Sequence, residues 1–136
     1  MELRPESIPR GNERILLVDD DETIVTSLRN MLERFGYKVT ALTDGREAWK
    51  IFSEKPSEFD LVITDHVMPH LTGKDLACKI SRIRSDIPII ILSGGYHLTT
   101  SEEAMAMGFR GLLVKPFTIR EATELVRRVL DHKGTG

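Results

Sequence analysis

Five polar residues directly follow apolar segments of this 136-residue chain, and they are of the types that handle phosphate and metal ions. They are Asp19, Asp20, Asp65, Ser93 and Lys115. If these residues were gathered at one place, two carboxylates ~5 Å apart would repel by about 3 kcal/mol at an effective dielectric near 20. A hard divalent ion such as Mg²⁺ relieves that repulsion, and a nearby ammonium and hydroxyl complete a cradle for a tetrahedral phosphoryl group. An aspartate in such a cradle can itself attack phosphorus and form an acyl phosphate.

The segments that precede these residues predict the strands of a parallel sheet. Short apolar runs alternate with segments whose apolar residues recur at helical spacing, the runs being 14–18, 38–42, 61–64, 87–92 and 111–114. This alternation predicts a single α/β domain, a doubly wound five-stranded parallel sheet with helices on both faces. Because functional groups in such folds gather at the carboxyl ends of the strands, we expect the five polar residues to converge.

The ends of two helices and the limits of the domain are also marked in the sequence. Gly36 predicts a left-handed cap at the end of the first helix, and Thr118 and Glu121 have capping-box spacing at the start of the last. Residues 1–13 contain proline and glycine among charged residues and predict a flexible tail or linker. The domain is expected over 14–131, with a short C-terminal tail at 132–136.

Composition excludes several classes of function. The 19 basic and 21 acidic residues give a net charge of -2 without a basic cluster, so direct nucleic-acid binding is not expected. No apolar run approaches the ~20 residues of a membrane span, which predicts a cytoplasmic segment that does not insert into a membrane. Cys78 is the only cysteine, so an internal disulfide is excluded, and its place on a helix predicts a buried side chain.

Four segments together resemble the receiver domains of two-component response regulators. They are LLVDD at 16–20, DLVITDHVMP at 60–69, ILSG at 91–94 and VKPF at 114–117. Each motif alone is weak, but their order, spacing and placement at strand ends make the resemblance specific. It covers residues 14–131 and implies the flavodoxin-like strand order 2-1-3-4-5.

The resemblance implies a phosphorylation switch and not an enzyme with turnover. A histidine kinase or phosphotransfer domain would donate the phosphoryl group, and self-dephosphorylation would be slow. The implied roles are phosphoacceptor for Asp65, Mg²⁺ ligands for Asp19, Asp20, Asp65 and the Val67 carbonyl, phosphoryl contacts for Ser93, Gly94 and Lys115, and a cis peptide before Pro116. The switch would act on a fused or separate effector or through a phosphorylation-dependent dimer.

One position departs from the family pattern. Leu112 occupies the switch position, three residues before Lys115, where many family members carry an aromatic residue. We therefore expect a conformational signal to travel through the backbone of the loop at 93–100. The segment at 86–94, together with the loop at 63–74, also resembles receivers fused behind sensor kinases, as in hybrid sensor histidine kinases.

Two alternative functions use a similar sheet. A phosphatase of the haloacid dehalogenase type also has an aspartate nucleophile. Such an enzyme carries an Asp-x-Asp motif with a second carboxylate two residues after the nucleophile, whereas the residue two places after Asp65 is Val67. A flavodoxin-like binding module would need hydroxyl-rich loops and aromatic walls, whereas the loops here are rich in carboxylates.

Overall fold

The computed structural model describes residues 8–94 and 100–132 of the chain, and the structural statements below concern these residues. The five strands are β1 Arg14–Val18, β2 Lys38–Leu42, β3 Leu61–Asp65, β4 Ile89–Ser93 and β5 Gly111–Val114. The five α-helices are α1 Glu22–Arg34, α2 Gly45–Glu54, α3 Gly73–Ile83, α4 Ser101–Ala106 and α5 Ile119–Asp131, and a 3₁₀ turn covers Pro56–Glu58.

The strands form one parallel sheet in the order β2-β1-β3-β4-β5, which confirms the predicted fold. Successive side chains of a strand point to opposite faces, so an almost wholly apolar strand supplies two separate cores. In β1, Ile15 and Leu17 pack with α1 and α5, whereas Leu16 and Val18 pack with α2, α3 and α4. Helices therefore cover both faces of the sheet.

Two strands differ slightly from the limits expected from the sequence. β4 begins at Ile89 and not at 87, because Pro88 has no N–H, and its carbonyl instead accepts a bond from Val62 N at 3.1 Å. β3 extends one residue further than expected and includes Asp65. The extra residue matters because it places the Asp65 side chain on rigid sheet.

The predicted helix caps are present. Gly36 has a φ of 106°, and Tyr37 N bonds back to Leu32 O at 3.2 Å, which is the pattern of a left-handed C-cap. Thr118 and Glu121 form the reciprocal capping box of α5. The prediction of a buried Cys78 is wrong, because α3 turns Leu76 and Ile80 toward the core and leaves Cys78 exposed.

The expected N-terminal tail is not free over its last residues. Ile8 is buried, and Gly11 N donates a hydrogen bond to Phe35 O at 3.1 Å, so residues 8–13 lie against the domain. We refer to residues 8–13 as the strap. Residues 1–7 and 133–136 lie outside the described part of the chain. Within the described ranges, no helix has the length and apolar character needed to cross a membrane.

Candidate functional site

The carboxyl ends of β1, β3, β4 and β5 bring the expected polar residues to one edge of the sheet. Asp19 follows β1, while Asp65 and Ser93 are the last residues of β3 and β4. Lys115 directly follows β5, and its backbone N donates to the Ser93 carbonyl at 2.7 Å. The parallel ladder thus holds the backbones of these residues in place before any side-chain interaction forms.

Three carboxylates form the acidic part of the site. Asp19, Asp20 and Asp65 each offer an oxygen, and these oxygens lie within 4.8 Å of one another. Asp19 is fully buried, Asp65 is almost buried, and Asp20 is exposed. The cluster is therefore open to solvent on the side of Asp20, where an ion or a phosphoryl group can approach.

Lys115 balances part of this negative charge. Its Nζ atom lies 2.7 Å from Asp19 Oδ2 and 3.2 Å from Asp65 Oδ1. Burial alone would lower the pKa of Lys115, but the contact with Asp19 and the charges of both carboxylates outweigh it and raise that pKa. The lysine is thus a fixed cation that bridges the two buried acids.

The Asp65 carboxyl is held in place but is destabilised in its charged form. Its Oδ1 atom accepts a hydrogen bond from His66 N at 2.9 Å. Burial, followed by the negative charge of Asp19, raises the pKa of Asp65 to about 6, although Lys115 opposes the shift. Strongly perturbed carboxyl groups of this kind are concentrated at functional sites.

Asp19 is fixed by the chain that follows it. Its Oδ1 atom accepts a hydrogen bond from Asp21 N at 2.9 Å, and Asp21 in turn caps α1 by accepting from Thr23 N. The buried Oδ2 atom of Asp19 has the Lys115 ion pair but no hydrogen bond of good geometry among the described residues. A buried acceptor of this kind, beside two further carboxylates, fits a hard divalent cation.

Two glycines allow the chain to approach the site closely. A Cβ on Gly73 would collide with the carbonyl oxygen of Asp65, so the first residue of α3 must be glycine for the helix to start there. A Cβ on Gly94 would lie 2.9 Å from Lys115 Cβ. Gly94 therefore lies beside the lysine side chain.

The remaining predicted residues occupy the edges of the site. Val67 is exposed in the loop after β3, and Ser93 is fully buried at the end of β4. The Lys115–Pro116 peptide is cis. Leu112 is half-buried and packs with the core under α4. The loop expected to carry the signal spans 93–100, and its residues 95–99 lie outside the described part of the chain.

Sequence reasoning did not identify His66 N or Gly73 as parts of the site. His66 N acts through its backbone, so its residue type carries no signal. Gly73 follows the N-cap residue Thr72 and could be taken for an ordinary helix start. Its spacing from Asp65 was the available signal, because a helix that starts against a strand end needs a residue without a Cβ.

Comparison with known proteins gives a consistent result. The family model described as the response regulator receiver domain matches residues 15–127. The chain is 37% identical over 117 residues to the DNA-binding transcriptional regulator NtrC of Azospirillum brasilense, covering 86% of this chain and 24% of that protein. It is 35% identical over 120 residues to the alkaline phosphatase synthesis transcriptional regulatory protein PhoP of Bacillus subtilis, covering 88% of this chain and 49% of that protein.

A third relative and two solved structures extend the comparison. The 3',5'-cyclic-nucleotide phosphodiesterase regA of Dictyostelium discoideum is 35% identical over 121 residues, with 87% of this chain and 15% of that protein covered. The chain thus spans less than half the length of these three relatives. A receiver domain protein from Clostridium thermocellum has a TM-score of 0.82 at 32% identity, with 88% of this chain and 95% of that chain covered. The chemotaxis protein CheY4 of Vibrio cholerae has a TM-score of 0.77 at 30% identity, with coverages of 88% and 99%.

The family match extends over most of the chain, and it agrees with the sheet order and with the acidic cluster at the strand ends. This chain therefore belongs to the response regulator receiver domains of two-component signalling systems.

Proposed function

We propose that Asp65 accepts a phosphoryl group from a phosphohistidine and that its phosphorylation switches a partner-binding surface. The observation that carries the proposal is the contact of Asp65 with the Lys115 ammonium at 3.2 Å, within a cluster that also contains Asp19 and Asp20. This arrangement gives one carboxylate a cation on one side and an opening to solvent on the other.

The chemical step needs one attacking oxygen and one leaving nitrogen. A carboxylate oxygen of Asp65 forms a bond to phosphorus while the phosphorus–nitrogen bond of the donor breaks. The donor imidazole leaves with the electron pair of that bond, and Asp65 becomes an acyl phosphate. Because His66 N and Lys115 both contact Oδ1, the other oxygen, Oδ2, is the better candidate for attack.

The site fits Mg²⁺, and we assign Asp19, Asp20, Asp65 and the Val67 carbonyl as its protein ligands. The support is the three carboxylate oxygens within 4.8 Å of one another and the buried Oδ2 of Asp19, which has the Lys115 ion pair but no hydrogen bond of good geometry among the described residues. When bound, Mg²⁺ supplies positive charge to the phosphoryl oxygens. Asp19 and Asp65 are fixed by backbone N–H groups, so they hold their positions whether or not the cation is present.

We assign Lys115, Ser93 and Gly94 to the phosphoryl group itself. Lys115 already contacts Asp65 and needs little movement to pair with an oxygen added there. Ser93 stands at the end of the neighbouring strand, and Gly94 leaves room beside the lysine. An ammonium and a hydroxyl aimed at the equatorial oxygens stabilise the charge that develops during transfer.

The route from Asp65 to a partner differs from an aromatic switch. Leu112 packs in the core under α4 and has no ring or hydroxyl that could exchange between core and solvent. We therefore propose that a backbone change after Ser93 carries the signal. The measurement is amide exchange in residues 93–100 with and without beryllofluoride, a phosphoryl mimic, and an unchanged pattern would refute this route.

The partners follow from the same chemistry. The phosphoryl donor is a histidine kinase or a phosphotransfer domain. The downstream partner of this domain is a fused or separate effector, or a second copy in a phosphorylation-dependent dimer. The domain acts as a switch that assists its own phosphorylation and its slow dephosphorylation. We place it in the cytoplasm, because phosphohistidine donors are made from ATP. An origin in a hybrid sensor kinase remains part of this proposal.

A labelling experiment tests the proposal. Incubation with acetyl phosphate and Mg²⁺ should add the mass of one phosphoryl group to the wild-type chain, and EDTA should abolish the adduct. Asp65→Asn should show no adduct, while the control Asp75→Asn, which changes an exposed aspartate on α3, should label like wild type. Equal labelling of Asp65→Asn and wild type would rule out Asp65 as the acceptor.

A further inference from the structure

The strap lies at the amino ends of the strands, opposite to Asp65, and crosses the connection between α1 and β2. Gly11 N donates to Phe35 O at 3.1 Å, and Lys38 N donates to Glu13 O at 3.0 Å. A Cβ on Gly36 would collide with the carbonyl oxygen of Gly11, which shows how closely the two segments cross. Backbone bonds therefore fix the strap to the domain at Gly11 and at Glu13.

The far side of the strap is bound to α5 by one arginine. Arg127 Nη1 and Nη2 donate to the two carboxylate oxygens of Glu13 at 3.1 and 2.7 Å. Arg127 Nη1 also donates to Arg10 O at 3.3 Å, and Nε donates to Asp131 Oδ1 at 3.0 Å. A bidentate ion pair between arginine and a carboxylate has a defined geometry and is stronger than a single hydrogen bond at the surface. Its hydrogen bonds hold the pKa of Glu13 below its usual range.

The strap also covers an aromatic residue. Tyr37 is 3% exposed, and a Cβ on Gly11 would collide with its ring, so strap and ring are in close contact. The Tyr37 hydroxyl is buried without a hydrogen-bond partner of good geometry among the described residues. Burial raises the pKa of this phenol. The titration of Tyr37 therefore reports whether the strap is in place.

We propose that the strap is a lock on the last turns of α5, through which the chain before β1 controls that helix independently of Asp65. The amino end of α5 is fixed by the Thr118 cap and follows β5, but Arg127 is near its carboxyl end. A force or a partner that acts on the chain N-terminal to the strap therefore acts on Glu13. It thereby acts on the end of α5 without passing through the phosphorylation site.

Hydrogen–deuterium exchange on the full chain tests the lock. Glu13→Gln weakens the charged pair but leaves Arg127 bonded to Asp131, so the variant should fold. We expect the amides of residues 128–132 to exchange about tenfold faster than in wild type, which corresponds to one decade in the opening equilibrium. The pKa of Tyr37, followed by ultraviolet absorbance in a Tyr96→Phe background, should fall toward its ordinary value.

The matched control is Asp131→Asn, which removes the other carboxylate partner of Arg127 but leaves the strap attached. It should lower the pKa of Tyr37 only through the loss of the Asp131 charge, and therefore by less than Glu13→Gln does. Unchanged exchange in residues 128–132 of Glu13→Gln would overturn the lock. A lower yield of acetyl phosphate labelling in Glu13→Gln than in wild type would overturn the independence of the lock from Asp65. Normal labelling of the Asp75→Asn control in the same experiment would show that the proposed function itself has not failed.

Discussion

Replacing Asp65 by asparagine should stabilise the protein at neutral pH when divalent ions are absent. Burial and the charge of Asp19 raise the pKa of Asp65 from 3.8 to about 6. Between these two values the native state binds more protons than the unfolded state. The free energy of unfolding therefore falls as the pH rises through this window, and Asp65→Asn removes that loss.

The size of the effect follows from the pKa. A difference of about two pKa units corresponds to roughly 3 kcal/mol, at about 1.4 kcal/mol per unit. The favourable contact with Lys115 is already contained in the net pKa, and asparagine can still accept the hydrogen bond from His66 N. We therefore expect Asp65→Asn to gain about 1–3 kcal/mol at pH 7 and almost nothing near pH 4.

The assay is urea unfolding followed by the fluorescence of Trp49, the single tryptophan, in EDTA at several pH values between 4 and 7. Adding Mg²⁺ should narrow the difference at pH 7, because a ligand that binds the native wild type stabilises it by mass action. Glu54→Gln, at an exposed position on α2, should show no such pH-dependent gain. A variant Asp65→Asn that is no more stable than wild type at pH 7, or whose gain does not change with pH, would refute the reasoning.

Three further predictions concern the fold and the strap. Gly73→Ala should lower both the free energy of unfolding and the yield of acetyl phosphate labelling, because the added methyl collides with the Asp65 carbonyl. The control Lys74→Ala should change neither quantity, and equal labelling of the two variants would contradict the prediction. Phe52→Ala should lower the free energy of unfolding by about 3–5 kcal/mol, measured by urea unfolding, and a loss below 1 kcal/mol would mean that the core closes around the cavity. Glu13→Gln should be less stable than wild type at pH 7, with a difference that shrinks as the pH falls and Glu13 becomes protonated in wild type; a difference constant down to pH 3 would show that charge is not the cause.

Much of the fold was predictable because its strands are buried on both faces. An apolar run such as 15–18 indicates such a strand. Segments with helical spacing between successive runs of this kind indicate a parallel sheet with helices on its faces. The convergence of Asp65 and Lys115 followed from the rule for strand ends, without knowledge of their distance. Both residues come directly after apolar runs, so the sequence marks them as polar residues at the ends of buried strands.

The errors and omissions arose where the structure depends on tertiary contacts. Residues 8–13 have a loop-like composition, but the pairing of Glu13 with Arg127 joins residues 114 positions apart, which local patterns cannot indicate. Cys78 is one position beyond the buried stripe of α3, so a small error in the predicted rotation of the helix about its axis changes Cys78 from exposed to buried. The role of His66 N belongs to the backbone N–H, which every residue type except proline has.

The ion pair between Lys115 and Asp19, at 2.7 Å, would make the proposed cation binding an exchange reaction. A divalent ion entering the cluster competes with an ammonium that is already covalently attached to the protein. Its apparent affinity is therefore lower than three free carboxylates would give, and the ion can leave again without exposing bare buried charge. A lysine tethered in this way pairs with the two buried carboxylates when no divalent ion is bound, so the fold would not depend on the ion.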